Sequence, residues 1–135
     1  LLTRFKQLTL DEMTQEDLDY LADVVSHDPE MDPSFIYKKM AHGEMIPWRL
    51  ETTRGNSIVL TEVKHKRFEK TLYVWYLSGK GFVGHAQYML DTFEEYCKLN
   101  GCTAIEALME DQRLANYFKR GKFNIKHVFV RREVN

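Results

Sequence analysis

The hydrophobic positions between residues 71 and 102 change period within a short span. Leu72, Tyr73, Val74, Trp75, Tyr76 and Leu77 are apolar or aromatic without interruption. A run of that length with no polar alternation predicts a strand covered on both faces, hence one in mid-sheet. Gly79, Gly81 and Gly84 follow closely, which predicts a turn whose backbone adopts positive φ and can approach a ligand. The period then becomes helical. Ala86, Leu90, Phe93 and Cys97 recur on one face, flanked by Met89 and Tyr96, while Asp91, Glu94, Glu95 and Lys98 lie opposite. Asn100-Gly101 closes this helix, as a left-handed C-terminal cap does.

The same reading applied from the start of the chain predicts a short strand over residues 2–8. Thr14 caps a helix whose Glu16 and Asp17 suit the positive first turn and whose Leu18, Leu21, Ala22 and Val25 form the apolar stripe. Asp28-Pro29 ends it. Asp32 and Pro33 open a second helix, which Gly43 stops. A hairpin follows, with strands over 46–52 and 57–63 and Arg54-Gly55-Asn56 as its turn. Trp48, Leu50 and Thr52 alternate with Arg49 and Glu51, which predicts one buried and one exposed face. The basic loop Lys64-His65-Lys66-Arg67 is expected to be solvated. Strands over 104–109 and 125–131 complete the set. The fold class is α/β (α+β): one domain over residues 1–135, with a mixed central sheet of about six strands and about four flanking helices.

Charge changes this picture only locally. The formal net charge of 135 residues is −1, so no bulk attraction to nucleic acid or to a membrane surface is expected. Its distribution is uneven: residues 8–37 hold no Lys or Arg but carry Asp11, Glu12, Glu16, Asp17, Asp19, Asp23, Asp28, Glu30 and Asp32. Residues 113–132 reverse the bias, with Arg113, Lys119, Arg120, Lys122, Lys126, Arg131 and Arg132 and no acidic side chain. These acidic (11–32) and basic (113–132) faces are candidate docking surfaces for protein partners, in a homo-oligomer or a larger assembly; two solvated faces that offset each other are the alternative. Cys97 and Cys102 lack zinc-ligand spacing and read as reduced core residues of an intracellular, cytoplasmic protein. The histidines are scattered, so no metal site is expected. No membrane span or secretory signal is recognised.

A strand that feeds a glycine turn and then a helix places the helix's first N–H groups, at the positive end of its dipole, where a phosphate can use them. With this order of elements the second half of the chain resembles the GNAT superfamily of acyl-CoA N-acyltransferases, whose signature is Arg/Gln-x-x-Gly-x-Gly/Ala. The two glycine positions fall on Gly84 and Ala86, and the Arg/Gln position falls on Gly81, a departure. Residues 104–109 and Gln112 to Phe123 resemble the family's fifth strand and following helix, and Phe118 takes the place where many members have a tyrosine acid. Tyr117 is its neighbour.

The resemblance implies acetyl-CoA as cofactor and no metal. The pyrophosphate would be held by backbone amides of Phe82, Val83, Gly84, His85 and Ala86, and the pantetheine arm oriented by Trp75 and Tyr76. Candidate bases are Glu106 and His85, and the candidate acid is Tyr117. The segment between the first two helices would shape an acidic acceptor site. Losing both the Arg/Gln and the tyrosine also resembles degenerate GNAT-like proteins of short-tailed phages, including an internal virion protein. Two functions are therefore expected to compete. One is a non-catalytic or weakly catalytic structural and docking protein, located in the virion if phage-encoded. The other is an acetyl-CoA-dependent N-acetyltransferase acting on a small amine or a protein amino group.

Overall fold

A computed structural model describes residues 2–82, 84–108, 124–126 and 129–134. The elements are β1 (Arg4–Gln7), a single 3-10 turn (Leu10–Glu12), α1 (Gln15–Ser26), α2 (Pro33–Ala41), β2 (Met45–Thr52), β3 (Gly55–His65), β4 (Lys70–Gly79), α3 (Ala86–Asn100), β5 (Ala104–Leu108), β6 (Asn124–Lys126) and β7 (Phe129–Glu133). The strands hydrogen-bond in the order β1-β2-β3-β4-β5-β7-β6, a mixed sheet with β4 inside it, as its apolar run predicts. The helix expected over 112–123 lies outside the described residues, as do Val83, Tyr117 and Phe118.

The chain forms two compact units: Leu1–Glu62 with Trp75–Val83, and Val63–Val74 with Gly84–Asn135. In the first, β1 runs antiparallel to β2, which runs antiparallel to β3. Their register ends on Thr52↔Gly55, so the turn is Thr53-Arg54 and not the expected Arg54-Gly55-Asn56. Gly55, with φ 122°, sits at the first paired position, where its backbone freedom lets the turn close tightly. α1 and α2 cover one sheet face with a cluster built on Leu21, Val25, Ile36, Met40, Ile58 and Leu60.

Both helices begin where the capping residues place them. Thr14 Oγ1 accepts from the Asp17 amide at 3.3 Å while Asp17 Oδ2 accepts from the Thr14 amide at 2.9 Å, a reciprocal capping box. Asp32 Oδ1 accepts from the Ser34 amide at 2.9 Å, ahead of Pro33 in the first turn of α2.

Two expectations fail here. Ala22 is exposed, so the α1 stripe is carried by Leu21 and Val25. Arg49 and Asp17, read as solvent-facing, are buried together: Arg49 Nη2 donates to Asp17 Oδ2 at 2.5 Å, Nε donates to both carboxylate oxygens at 3.1 Å, and Nη2 also reaches the Glu12 carbonyl at 3.0 Å. The face of β2 opposite Trp48 and Leu50 is thus covered as well, by the α1–α2 cluster with this ion pair beside it. Asp17 therefore leaves the acidic surface expected over 11–32.

In the second unit β4 runs parallel to β5, from Thr71↔Ala104 to Val74↔Ala107. β7 pairs antiparallel with β5 and β6 antiparallel with β7. The single strand expected over 125–131 is two strands, paired Lys126↔Phe129. α3 packs on β5, burying Met89, Leu90, Phe93 and Cys97, and Leu72, Ile105 and Ala107 are buried on the paired strands. Val74, expected among them, is half-buried. Gly101 closes α3 at φ 74°, and the Cys102 amide returns to the Cys97 carbonyl at 2.9 Å, a Schellman closure. Burial pushes the Cys97 thiol up to about 12, with Cys102 adding to it, so both free cysteines serve as core residues.

Candidate functional site

The glycine turn after β4 has two parts, and they differ. Gly79 and Gly81, at φ 118° and 89°, belong to a segment laid on the β2–β3 hairpin: the Lys80 amide donates to the Asn56 carbonyl at 2.9 Å and Ser57 Oγ donates to the Lys80 carbonyl. A Cβ on Gly79 would stand 2.6 Å from the Asn56 carbonyl oxygen, and one on Gly81 would stand 2.2 Å from Thr52 Oγ1. Packing alone therefore requires glycine at both places. The absent Arg/Gln at position 81 has the same cause, since no side chain fits there. Gly84, at φ 86°, is exposed, and a Cβ on it would meet nothing within 4 Å. Its left-handed backbone favours glycine, and among the described residues no close contact does.

α3 follows at once and is opened differently from the other helices. Its N-cap is His85, at φ −114° and ψ 11°, and the imidazole makes no capping hydrogen bond, whereas Thr14 and Asp32 cap α1 and α2 with side-chain oxygens. The positive end of this helix dipole is thus left without a side-chain acceptor from its own N-cap, an arrangement suited to an external anion. Ala86 is the first helical residue and is buried.

Trp75 and Tyr76 are placed in the first unit, on the α1–α2 side. Neighbours in a regular strand point to opposite faces, yet Tyr76 belongs to the α1–α2 cluster and Trp75 packs against it, with ring centroids 6.2 Å apart. The alternation is broken between them. Each ring is held by a carboxylate that sequence reasoning did not single out: the Tyr76 hydroxyl donates to Asp28 Oδ2 at 2.6 Å, and Trp75 Nε1 donates to Glu62 Oε1 at 3.0 Å. Glu62 in turn accepts from Lys39 Nζ at 2.7 Å. Only the rule that a covered indole N–H or phenol seeks an acceptor could have signalled these partners.

Glu106, the candidate base, is buried on β5 in register with Tyr73, and its carboxylate is ion-paired with Lys66. Part of the basic loop expected to be solvated is therefore engaged. Lys64 Nζ lies 3.9 Å from the Tyr73 ring centroid, and burial, with Glu106 beside it, pushes the Tyr73 phenol above its ordinary range. Among the described residues, buried Thr71 Oγ1 finds no hydrogen-bond partner. Phe82 and His85 are half-buried. Among the described residues, no cluster of His, Cys, Asp or Glu could hold a metal ion, and no helix is long and apolar enough to cross a membrane.

A mixed sheet with this order and a glycine turn between its central strand and α3 match the GNAT fold, and comparison with solved structures agrees. A GNAT-family protein from Desulfovibrio desulfuricans superposes with TM-score 0.67 at 12% identity, covering 99% of this chain and 100% of that one. Tetrahymena GCN5 gives TM-score 0.66 at 12% identity over 98% of this chain and 96% of that one. A chain of the NatC complex, solved bound to Gag peptide and CoA, gives TM-score 0.58 at 13% identity over 91% and 87%. No protein-family model matches the sequence, and no curated protein does.

Proposed function

We propose that this protein binds acyl-CoA at the opening of α3 and transfers the acyl group to an amine. The observation that carries the reading is the contrast within the glycine turn: Gly79 and Gly81 are required by packing, while Gly84 is exposed and precedes a helix without a side-chain cap. A neighbour of the same fold is solved with CoA. The backbone around Gly84, His85 and Ala86 supplies donors for the pyrophosphate, as the resemblance implies, with Phe82 and Val83 completing the turn. Acetyl-CoA, when bound, supplies the acyl group as an activated thioester. His85 is the base at this turn, because its imidazole is not spent on capping. Glu106 acts only when Lys66 yields its carboxylate.

Titration calorimetry of acetyl-CoA into wild type and Gly84→Asp tests the site. Binding by wild type and loss of binding in the variant are expected, since the new carboxylate opposes the phosphates; equal affinities place the ligand elsewhere. Transfer is followed as free CoA released with polyamine, peptide and aminoglycoside acceptors.

A second reading, a non-catalytic GNAT scaffold that docks protein partners through its acidic side, in a virion or another assembly, draws on Gly81. The anchor side chain of the signature cannot be accommodated there. Binding without acceptor-dependent release favours it. General acid help is worth about 10²- to 10⁴-fold, so a Phe118→Tyr variant that raises turnover marks an enzyme with a displaced acid, with Tyr117 as its present substitute.

A further inference from the structure

Cys97 and Cys102 flank the C-terminus of α3, within the second compact unit, and the closure of that helix brings them together. In a Schellman motif the residue whose carbonyl takes the returning amide and the residue that gives the amide have side chains that meet across the turn. Those two places hold Cys97 and Cys102, joined by the 2.9 Å backbone bond. Both thiols are buried, both are free, and each is the other's hydrogen-bonding neighbour. While reduced they pack as any small apolar pair would. Two thiols in contact also have a reaction open to them that an apolar pair lacks.

We propose that Cys97 and Cys102 form a reversible disulfide that clasps the last turn of α3 to the entry of β5, with a small-molecule disulfide such as glutathione disulfide as the oxidant. This does not depend on the acyl-CoA reading. Cys102 attacks first. Burial raises both thiols, but at Cys102 the Cys97 thiol and the Lys70 ammonium offset it in part, whereas at Cys97 the neighbours Cys102 and Glu94 add to it. The Cys102 thiolate cleaves the S–S bond of the oxidant, releasing one small thiol and leaving a mixed disulfide. The Cys97 sulfur then displaces the second small thiol as the Cys97–Cys102 bond forms. The cysteines give up two protons and two electrons, and the two released thiols carry them. Access comes from the end of the helix: Lys98, Leu99, Asn100 and Gly101 are exposed, Leu99 at 80%. The turn is held by the Cys102 amide and by Lys70 Nζ, which donates to the Asn100 carbonyl at 2.7 Å. A helix end held by so few bonds opens far more readily than the whole domain unfolds.

The test follows free thiols by mass spectrometry of the intact protein before and after exposure to glutathione disulfide, with maleimide capping after acid quench and unfolding. Wild type should take two caps before oxidation, one per cysteine, and none after, with no glutathione retained and no covalent dimer. Dithiothreitol should return both thiols. Cys97→Ala, which lacks the resolving thiol, should keep glutathione on Cys102, whereas Cys102→Ala should leave Cys97 free. The oxidised wild type should melt about 5 °C above the reduced form, as a short closed loop does. Two free thiols in wild type after prolonged exposure, a lasting glutathione adduct, a covalent dimer, or an oxidised form that melts below the reduced one overturns the clasp. Glutathione kept on Cys97 in Cys102→Ala, and not on Cys102 in Cys97→Ala, overturns the order of attack. If either variant fails to fold, the wild-type masses alone decide whether the disulfide forms.

Discussion

Helix α1 adds an ion pair to its apolar contacts, whereas helix α3 sits over apolar side chains. The first is tied down by Asp17 on Arg49, with its N-terminus closed by its own capping box. The second buries Met89, Leu90, Phe93 and Cys97, and its N-cap residue makes no capping bond. The α1 attachment is directional and pH-sensitive. That of α3 is indifferent to pH over the physiological range, and its N-cap side chain plays no part in it. A helix that binds an anion at its N-terminus is best held by its side.

The strongest way to break this comparison is to remove one anchor from each helix. Asp17→Ala should cost about 3–5 kcal/mol in urea unfolding, because it leaves a buried guanidinium without its partner. The paired change Asp17→Leu/Arg49→Met should recover most of that loss. If Asp17→Ala costs under about 1 kcal/mol, the pair is not what holds α1. Phe93→Ala should also cost about 3–5 kcal/mol, as truncated core aromatics do, with no recovery from any charge change.

Acid sharpens the contrast. Burial alone would raise the Asp17 carboxyl, but hydrogen bonds from Arg49 and the Thr14 amide outweigh it and hold it below the ordinary range. A depressed carboxylate stabilises the fold above its unfolded value of about 3.9, and that contribution is lost as pH falls below this toward the folded value. The Asp17→Ala penalty should therefore shrink steadily below about pH 4 while that of Phe93→Ala persists.

The glycines give a smaller, graded effect. Gly81→Ala should cost about 3 kcal/mol through strain and overlap with Thr52, against about 1 kcal/mol for Gly84→Ala, which meets only the left-handed backbone penalty. Equal costs would remove the distinction on which the ligand site rests. Smallest, and opposite in sign, Thr71→Val should stabilise by about 1 kcal/mol, since it replaces a buried unbonded hydroxyl by a methyl group.

The elements with local signals were legible in the sequence. Thr14, Asp32 and Gly101 mark helix ends through bonds made within a few residues, and the unbroken run of β4 marks an interior strand. Pairings between distant residues were not legible. Arg49 in an alternating strand looks exposed until Asp17, thirty-two residues away, is folded onto it. The pairing of β6 with β7 was hidden too, because residues 125–131 read as one run. At the site, Gly84 could be read as the open glycine only after Gly79 and Gly81 were seen against the hairpin. Trp75 and Tyr76 lie in the legible run of β4, but Glu62 and Asp28, which accept their hydrogen bonds, share no local motif with them.

The two outermost strands of the sheet are its shortest, with four residues in β1 and three in β6, whereas β3 inside it has eleven. β1 also presents Arg4 to solvent and carries Lys6. A sheet border this brief and this cationic offers an incoming strand few hydrogen bonds and a charge to bury. At β1 the sheet is thereby a poor template for another chain's strand, a protection against aggregation written into its first residues.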